Sequence, residues 1–333
     1  MTQISTQVGD AASLLKQGGI VAIPTETVYG LAANAFDLDA VSSIFTAKNR
    51  PFYDPLIIHC ATKQKAFRLL IDFPYVFNQL ADAFWPGPLT LVALKSSKVP
   101  DMITAGSDKV AVRVPNHKLT LELLDALPFP LAAPSANPFG YVSPTSAQHV
   151  YSSLKGSIPL ILDGGVCEVG IESTIVGMNA NFEPEIWRLG GISQKEIEAV
   201  CGCKVALKIQ SSSNPKAPGQ LQKHYSPSTK LRIVTLDQLI HMLKENKPNM
   251  NEVGLISFGL HPVFTQFKYH FALSEKGKIK DAAHNLYHVL READSCNLAE
   301  IWTILPPDKG VGKAIQDRLK RAAYAPESGN TVL

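Results

Sequence analysis

Gly18-Gly19-Ile20-Val21-Ala22-Ile23-Pro24-Thr25-Glu26-Thr27-Val28-Tyr29-Gly30 is the stretch on which the fold turns. Ile20 to Ile23 are apolar without interruption and Pro24 stops them, so the run reads as a short strand buried on both faces. Three hydroxyls and a carboxylate follow at once, beside a glycine. A polar loop at the end of a buried strand is a natural ligand-facing element, and turn capping explains the same residue types.

Upstream of that stretch, Val8, Ala11, Ala12, Leu14 and Leu15 recur at helical spacing until the glycine pair. Downstream, Leu38, Val41, Ile44 and Phe45 share one face, predicting a short helix that carries Lys48 at its end. Strands are expected at PLIIHC (55–60), LTLVAL (89–94), VAVRVP (110–115), PLAAP (130–134), PLILD (159–163), STIVGM (173–178) and EIWRL (185–189), with two short helices after the first. Ser193 with Glu196 is a capping box that opens a helix toward Val200. The first 200 residues thus form one α/β unit on a twisted sheet.

Composition changes at Ser211, where residues 211–230 hold three consecutive serines and three prolines without apolar periodicity, the signature of a linker. Beyond it, strands at LRIVT, VGLISF, YHFAL and EIWTILP alternate with helices over 236–243, 282–293 and 312–323, predicting a smaller Rossmann-like α/β domain with a parallel core. The tail YAPESGNTVL reads as a loose terminus. Nothing in the second domain marks a ligand site of its own.

The 333 residues suit about two domains. Lys and Arg number 32 against 29 Asp and Glu, a net charge of +3, too small for a chain that wraps nucleic acid by phosphate neutralisation alone. The N-terminus lacks the basic and apolar regions of a secretory signal, and no run of 18 apolar residues occurs, so no spanning helix is expected. Five scattered cysteines argue against a disulfide framework and for a cytoplasmic address. Cys201 and Cys203, without a second pair, make a poor zinc site.

The common catalytic templates are missing: no Gly-x-x-x-x-Gly-Lys phosphate cradle, no Gly-x-Gly-x-x-Gly, no His-Glu-x-x-His and no Gly-x-Ser-x-Gly elbow. Polar residues instead gather where strands end. Lys48 and Arg50 stand two apart at a helix terminus, a position where cations also complement the helix dipole. Arg113 alternates with Val112 and Val114, and a guanidinium in a β-rich core needs an anion, whether a structural carboxylate or a ligand. Ser135 and Asn137 follow PLAAP, Ser143 and Thr145 come next, Glu172 and Ser173 precede STIVGM, and Arg188 ends EIWR. Each hydroxyl alone fits a cap or turn. Together they offer many neutral donors, several cations and few carboxylates, an inventory suited to a polyanion such as a nucleotide.

GGIVAIPTETVYGLAANA, KNRPFYDPLIIHC, VAVRVP, APSANPFG with SPT, ESTIVG, WRLGG and the linker APGQLQKHYSP, in this order, resemble the Sua5/YrdC/YwlC family, threonylcarbamoyl-AMP synthases, in its long two-domain Sua5 form. The resemblance covers most of residues 18–226 and implies a YrdC-like catalytic domain over 1–205, a linker over 206–229 that folds across the active site, and a Sua5-type α/β domain over 230–333. It implies that L-threonine, bicarbonate and ATP give L-threonylcarbamoyladenylate and pyrophosphate, with Mg²⁺ accompanying ATP. Partner proteins then transfer the group to adenosine 37 of tRNA, and contact with tRNA itself is a further expectation.

Carried onto this chain, the resemblance gives catalytic roles to Lys48, Arg50, Ser135 and Asn137. It places Arg50, Asp54, Lys109, Ser135, Ser143, Arg188 and Tyr225 at ATP, and Thr27, His59, Arg113, Ala133 and Ser173 around L-threonine; no metal ligands are assigned. Three positions depart from the family pattern: Ala32 and Asp54 replace a frequent glycine and asparagine, and Tyr141 a frequent basic residue. Asp54 either binds Mg²⁺ or points away from the phosphates. The alternative is a non-catalytic tRNA or double-stranded RNA-binding module, which would need an open cationic surface rather than a closed pocket.

Overall fold

The computed structural model describes residues 1–209, 222–245 and 251–324; residues 210–221 of the expected linker, and the expected loose tail beyond Tyr324, lie outside the described residues. Residues 1–209 build a twelve-stranded mixed sheet. Its order is Gln3–Ser5, Leu160–Leu162, Val21–Ile23, Gly30–Asn34, Leu131–Ala132, Ile57–His59, Lys109–Arg113, Leu89–Lys95, Thr174–Met178, Pro184–Arg188 and Ala206–Leu207, with Leu70–Ile71 paired beside Leu89–Lys95. Every apolar run expected to be a strand is one. Val21, Ala22 and Ile23 are fully buried, as an unbroken apolar run requires.

Several elements carry no strong sequence pattern. Gly30–Asn34 pairs antiparallel with Val21–Ile23, so the polar loop between them is the turn of a long hairpin. Its Ala32 and Ala33 have little strand propensity and are held by burial and by their ladder partners Val21 and Ala132. Gln3–Ser5 is a polar edge strand, and the helices Lys118–Asp125 and Ala147–Leu154 were likewise not foreseen. Ala206–Leu207 pairs with Pro184–Arg188, so the first sheet runs into the segment assigned to the linker.

The helix Leu38–Lys48 begins where Asp37 accepts from the amides of Asp39 and Ala40, and it ends at Asn49 in the left-handed conformation, φ 51°. Asparagine tolerates that geometry, and the abrupt turn carries Arg50 away from the helix and toward the end of the sheet. The expected capping box is present: Ser193 and Glu196 bond reciprocally at the start of Gln194–Cys201.

The second sheet has four strands, in the order Leu231–Ile233, Glu300–Thr303, Val253–Ser257 and Tyr269–Ala272, all parallel. Its helices Ile279–Ser295 and Gly312–Ala322 bury one face in the same apolar cluster as Val142, Val150, Ile171 and Leu189 of the first domain. Gly170 permits the closest approach: a Cβ there would lie 2.4 Å from the carbonyl oxygen of His284. The interface between the two sheets is therefore a shared core and not a polar hinge.

Candidate active site

Ile57–His59 runs parallel to Lys109–Arg113 with His59 opposite Arg113, so both side chains leave the same face at the same end of the sheet. Gly30 bridges to Ser135 across the mouth of the hairpin, and Thr90, on Leu89–Lys95, shares a hydrogen bond of 2.7 Å with Ser173, the residue just before Thr174–Met178. These ends surround a cavity lined by Thr25, Thr27, Arg50, His59, Arg113, Ala133, Ser135, Glu172, Ser173, Arg188, His224 and Tyr225, among others. Nine of the residues named from sequence meet here: Thr27, Arg50, His59, Arg113, Ala133, Ser135, Ser173, Arg188 and Tyr225.

Each guanidinium is held in place. Arg113 donates to Thr27 Oγ1 at 2.9 Å and to the carbonyl of Gly87, and it pairs with Glu26 at 2.8 Å. The sequence left open whether its anion would be structural or a ligand; a structural carboxylate is present. Arg188 grips the carbonyl of Ser173 with two nitrogens and its hydroxyl with one. Arg50 donates to the carbonyls of Asp54 and Pro55 and pairs with the Asp54 carboxylate at 2.9 Å.

His59 donates from Nδ1 to the Ile57 carbonyl, which can only accept, so Nε2 is left as an acceptor. Burial, then the charge of Arg113, pushes its pKa down to about 3, and the ring is neutral near pH 7. Burial lowers Arg50 and Arg188 and raises Asp54, each charge being costly in an enclosed site.

Five residues named from sequence do not line this cavity. Lys48 lies beneath it, 1% exposed, with its ammonium donating to the carbonyls of Ser135 and Asn137. It is the last residue of its helix and points into the core, so it braces the Ser135–Asn137 turn; burial first, then Arg50, holds its pKa well below the ordinary value. Asn137 spends its amide on the carbonyls of Pro138 and Tyr141, leaving Oδ1 without a hydrogen bond. Asp54 is fully buried as the counter-ion of Arg50. Ser143 donates to Glu172 at 2.7 Å. Lys109 begins the strand whose other end is Arg113, so about 13 Å of extended chain separates it from the cavity end, and its ammonium lies over Trp187, 5.4 Å from the ring centroid.

Other cavity residues were given no role of their own. Glu172 stood in the polar inventory at the strand ends and within a quoted motif, and His224 within the linker motif next to Tyr225, so proximity to a recognised residue was the available signal. His224 packs edge-on against Tyr225, with centroids 4.0 Å apart. Tyr225 is 1% exposed in the left-handed region, φ 61°, which costs a non-glycine residue of order 1–3 kcal/mol. With Tyr225 seated, the cavity encloses only about 50 Å³ of free space, room for a few waters and well below the ~300–1,000 Å³ typical of ligand pockets.

Among proteins of known family, the Sua5/YciO/YrdC model, described as "Telomere recombination", matches residues 13–190, and the model "Threonylcarbamoyl-AMP synthase, C-terminal domain" matches residues 192–324. The threonylcarbamoyl-AMP synthase of Pyrococcus abyssi is 39% identical over 94% of this chain and 93% of its own, and that of Bacillus subtilis 38% identical over 95% and 93%. The crystal structure of P. abyssi Sua5 complexed with L-threonine superposes with a TM-score of 0.87 at 37% identity, covering 97% of each chain.

Proposed function

Because the chain belongs to the Sua5/YrdC/YwlC family, in its two-domain form, we propose that this cavity is where L-threonine, bicarbonate and ATP become L-threonylcarbamoyladenylate and pyrophosphate. The activity is threonylcarbamoyl-AMP synthesis, a nucleotidyl transfer. The observation that carries the site assignment is the enclosure of the cations: Arg50, Arg113 and Arg188 are each at most 7% exposed and converge on one cavity with neutral donors between them.

The threonine amine attacks the carbon of carbon dioxide with loss of an amine proton, or that of bicarbonate with loss of water, to give a carbamate. A carbamate oxygen then attacks the α-phosphorus, and the bond to the leaving pyrophosphate breaks. Negative charge grows on phosphoryl oxygens, so preorganised donors matter more than a strong base. Arg50 and Arg188 face the phosphates in this reading, with Ser135 beside them and Lys48 fixing the turn from below. Thr27, Ala133 and Ser173 surround threonine. Arg113, its fork aimed by Glu26, Thr27 and Gly87, receives the amino-acid carboxylate, and His59 Nε2 accepts from the threonine hydroxyl. Tyr225 covers the cavity and excludes water from a hydrolysable product. In this reading Tyr225 gives way when ATP enters, since the free space left with it seated is too small for a nucleotide.

Magnesium ligands do not follow from these residues. Asp54 is spent on Arg50 and Glu172 on three donors, and no cluster of three His, Cys, Asp or Glu suited to a metal occurs among the described residues. The ion arrives with the phosphates of ATP, as Mg²⁺ commonly does. Partner proteins that pass the threonylcarbamoyl group to tRNA, and a cytoplasmic address, belong to the same reading; the five free cysteines fit that address. No helix among the described residues is long and apolar enough to cross a membrane. The RNA-binding alternative needed an open cationic surface, and these arginines are enclosed.

The test is incorporation of labelled bicarbonate with ATP, Mg²⁺ and L-threonine, followed together with pyrophosphate release. A labelled adenylate that requires every component is expected. Folded protein that binds ATP yet gives no threonine-dependent product would sink the assignment.

A further inference from the structure

A carboxylate in the wall of a cavity meant for a triphosphate is an electrostatic contradiction. Glu172 is 6% exposed and lines the cavity that also holds Arg50 and Arg188. Unneutralised, it would repel the phosphates across a site of low dielectric. Its partners resolve the contradiction, and two of them come from the second domain. Arg318, fully buried on the helix Gly312–Ala322, donates from Nε to Glu172 Oε2 at 3.0 Å. Tyr287, fully buried on Ile279–Ser295, reaches Oε1 and Oε2 at 2.9 and 2.7 Å.

The same two residues hold Tyr225. The Arg318 guanidinium lies 5.1 Å from its ring centroid, and the Tyr287 ring stacks beside it at 5.8 Å. Arg318 is itself anchored to the Leu189 carbonyl at 2.7 Å and to Asp317 at 2.7 Å, so it cannot swing into the cavity without breaking several bonds. Burial raises the pKa of Glu172, but Arg318, Arg188, Ser143 and Tyr287 outweigh it and bring it down to about 2, so the carboxylate is ionised near pH 7. A buried pair of this kind tolerates the loss of both charges far better than the loss of one.

We infer that Arg318 is a charge-compensating, positioning residue lent to the site by the second domain: it neutralises Glu172 from behind, so that ATP is accepted, and seats Tyr225 over the cavity. This rests on the ATP-dependent reading above and gives the second domain a task within it.

The test is ATP affinity by calorimetry on the full chain, with melting temperature recorded for each variant. Wild type binds ATP. Arg318→Gln weakens binding by about tenfold or more, and adding Glu172→Gln to it restores affinity to within about threefold, because the uncompensated charge is gone. Tyr287→Phe keeps the packing and removes one donor, so it weakens ATP binding by roughly two- to fivefold even where Arg318→Gln folds poorly. A residue that only held the domains together would show the loss and its rescue in melting temperature, with the ATP affinity of the folded protein unchanged. Folded Arg318→Gln with unchanged affinity, a double variant no better than the single one, or an unaffected Tyr287→Phe where Arg318→Gln does not fold, overturns the inference alone. Wild type without ATP affinity overturns the functional reading together with it.

Discussion

The twelve-stranded mixed sheet and the four-stranded parallel sheet reach the same cavity by different routes. The large sheet contributes from the ends of its strands: His59, Arg113 and Arg188 leave ladder positions, and the loops at Thr25–Thr27 and Ser135 continue directly from strands. Its cations face the space a ligand would fill. The small sheet contributes nothing from its own strand ends. Two helices packed against it carry Tyr287, Arg291 and Arg318 into the back of the first domain. There Arg291 donates to the carbonyls of Val142, Ser143 and His149. One region contacts the ligand in this reading; the other fixes the groups that do.

That division predicts a graded response. Arg50→Ala removes a cation from the cavity and should lower the synthesis rate by about 10²–10³-fold, as for other donors aimed at developing charge. A loss below tenfold would break the contrast on the side of the large sheet. Tyr225→Ala, at the junction of the two regions, should spare the fold and cost on the order of tenfold in product formed, about 1.4 kcal/mol; an unchanged rate would remove the water-excluding role.

A smaller effect concerns pH. His59 and His224 are held at about 3 by burial, against an ordinary value of 6.5. Between those values the unfolded chain binds more protons than the folded one, so stability falls as pH drops through this window. Glu172, at about 2 against 4.5, adds a loss of the same sign only below pH 4.5. The slope of melting temperature between pH 6.5 and 4.5 therefore comes mainly from histidines lowered by burial, His117, His149 and His270 as well as these two, with the raised Asp54 opposing them, and His224→Asn should flatten it in part; an identical slope in the variant would show that other groups set it. The smallest effect is expected at the exposed Lys276 of the second domain. Lys276→Ala should leave the rate within about twofold and stability within about 0.5 kcal/mol. A marked loss would mean that the second domain also acts through its surface.

The first domain was legible because its elements are coded locally. The buried strands are continuous apolar runs, the helix before Arg50 opens on an aspartate cap, and the Ser193 box sits at its expected place. Gly30–Asn34 escaped because alanines in a strand carry no pattern, and Gln3–Ser5 because an edge strand is polar on the outside. Lys48 and Asn137 carried catalytic roles from the resemblance, with loop ordering an alternative for Asn137; that Lys48 sits beneath the cavity against the Ser135 and Asn137 carbonyls was not legible, since sequence spacing does not tell which way the last side chain of a helix points. Lys109 marks the same limit at the far end of a strand.

The sequence by itself determined the two α/β units and the order of the motifs, because each depends on contacts within a few residues or on a pattern that stays intact along the chain; the nine named residues that converge came through the resemblance those motifs carry. The pairing of Arg113 with Glu26 and the reach of Arg318 and Tyr287 to Glu172 were decided by the tertiary structure alone. Each joins charges that lie close in space, and in the last case more than a hundred residues apart in sequence. A buried charge takes its partner from whatever the fold brings within about 3 Å, and a linear pattern holds no record of that distance.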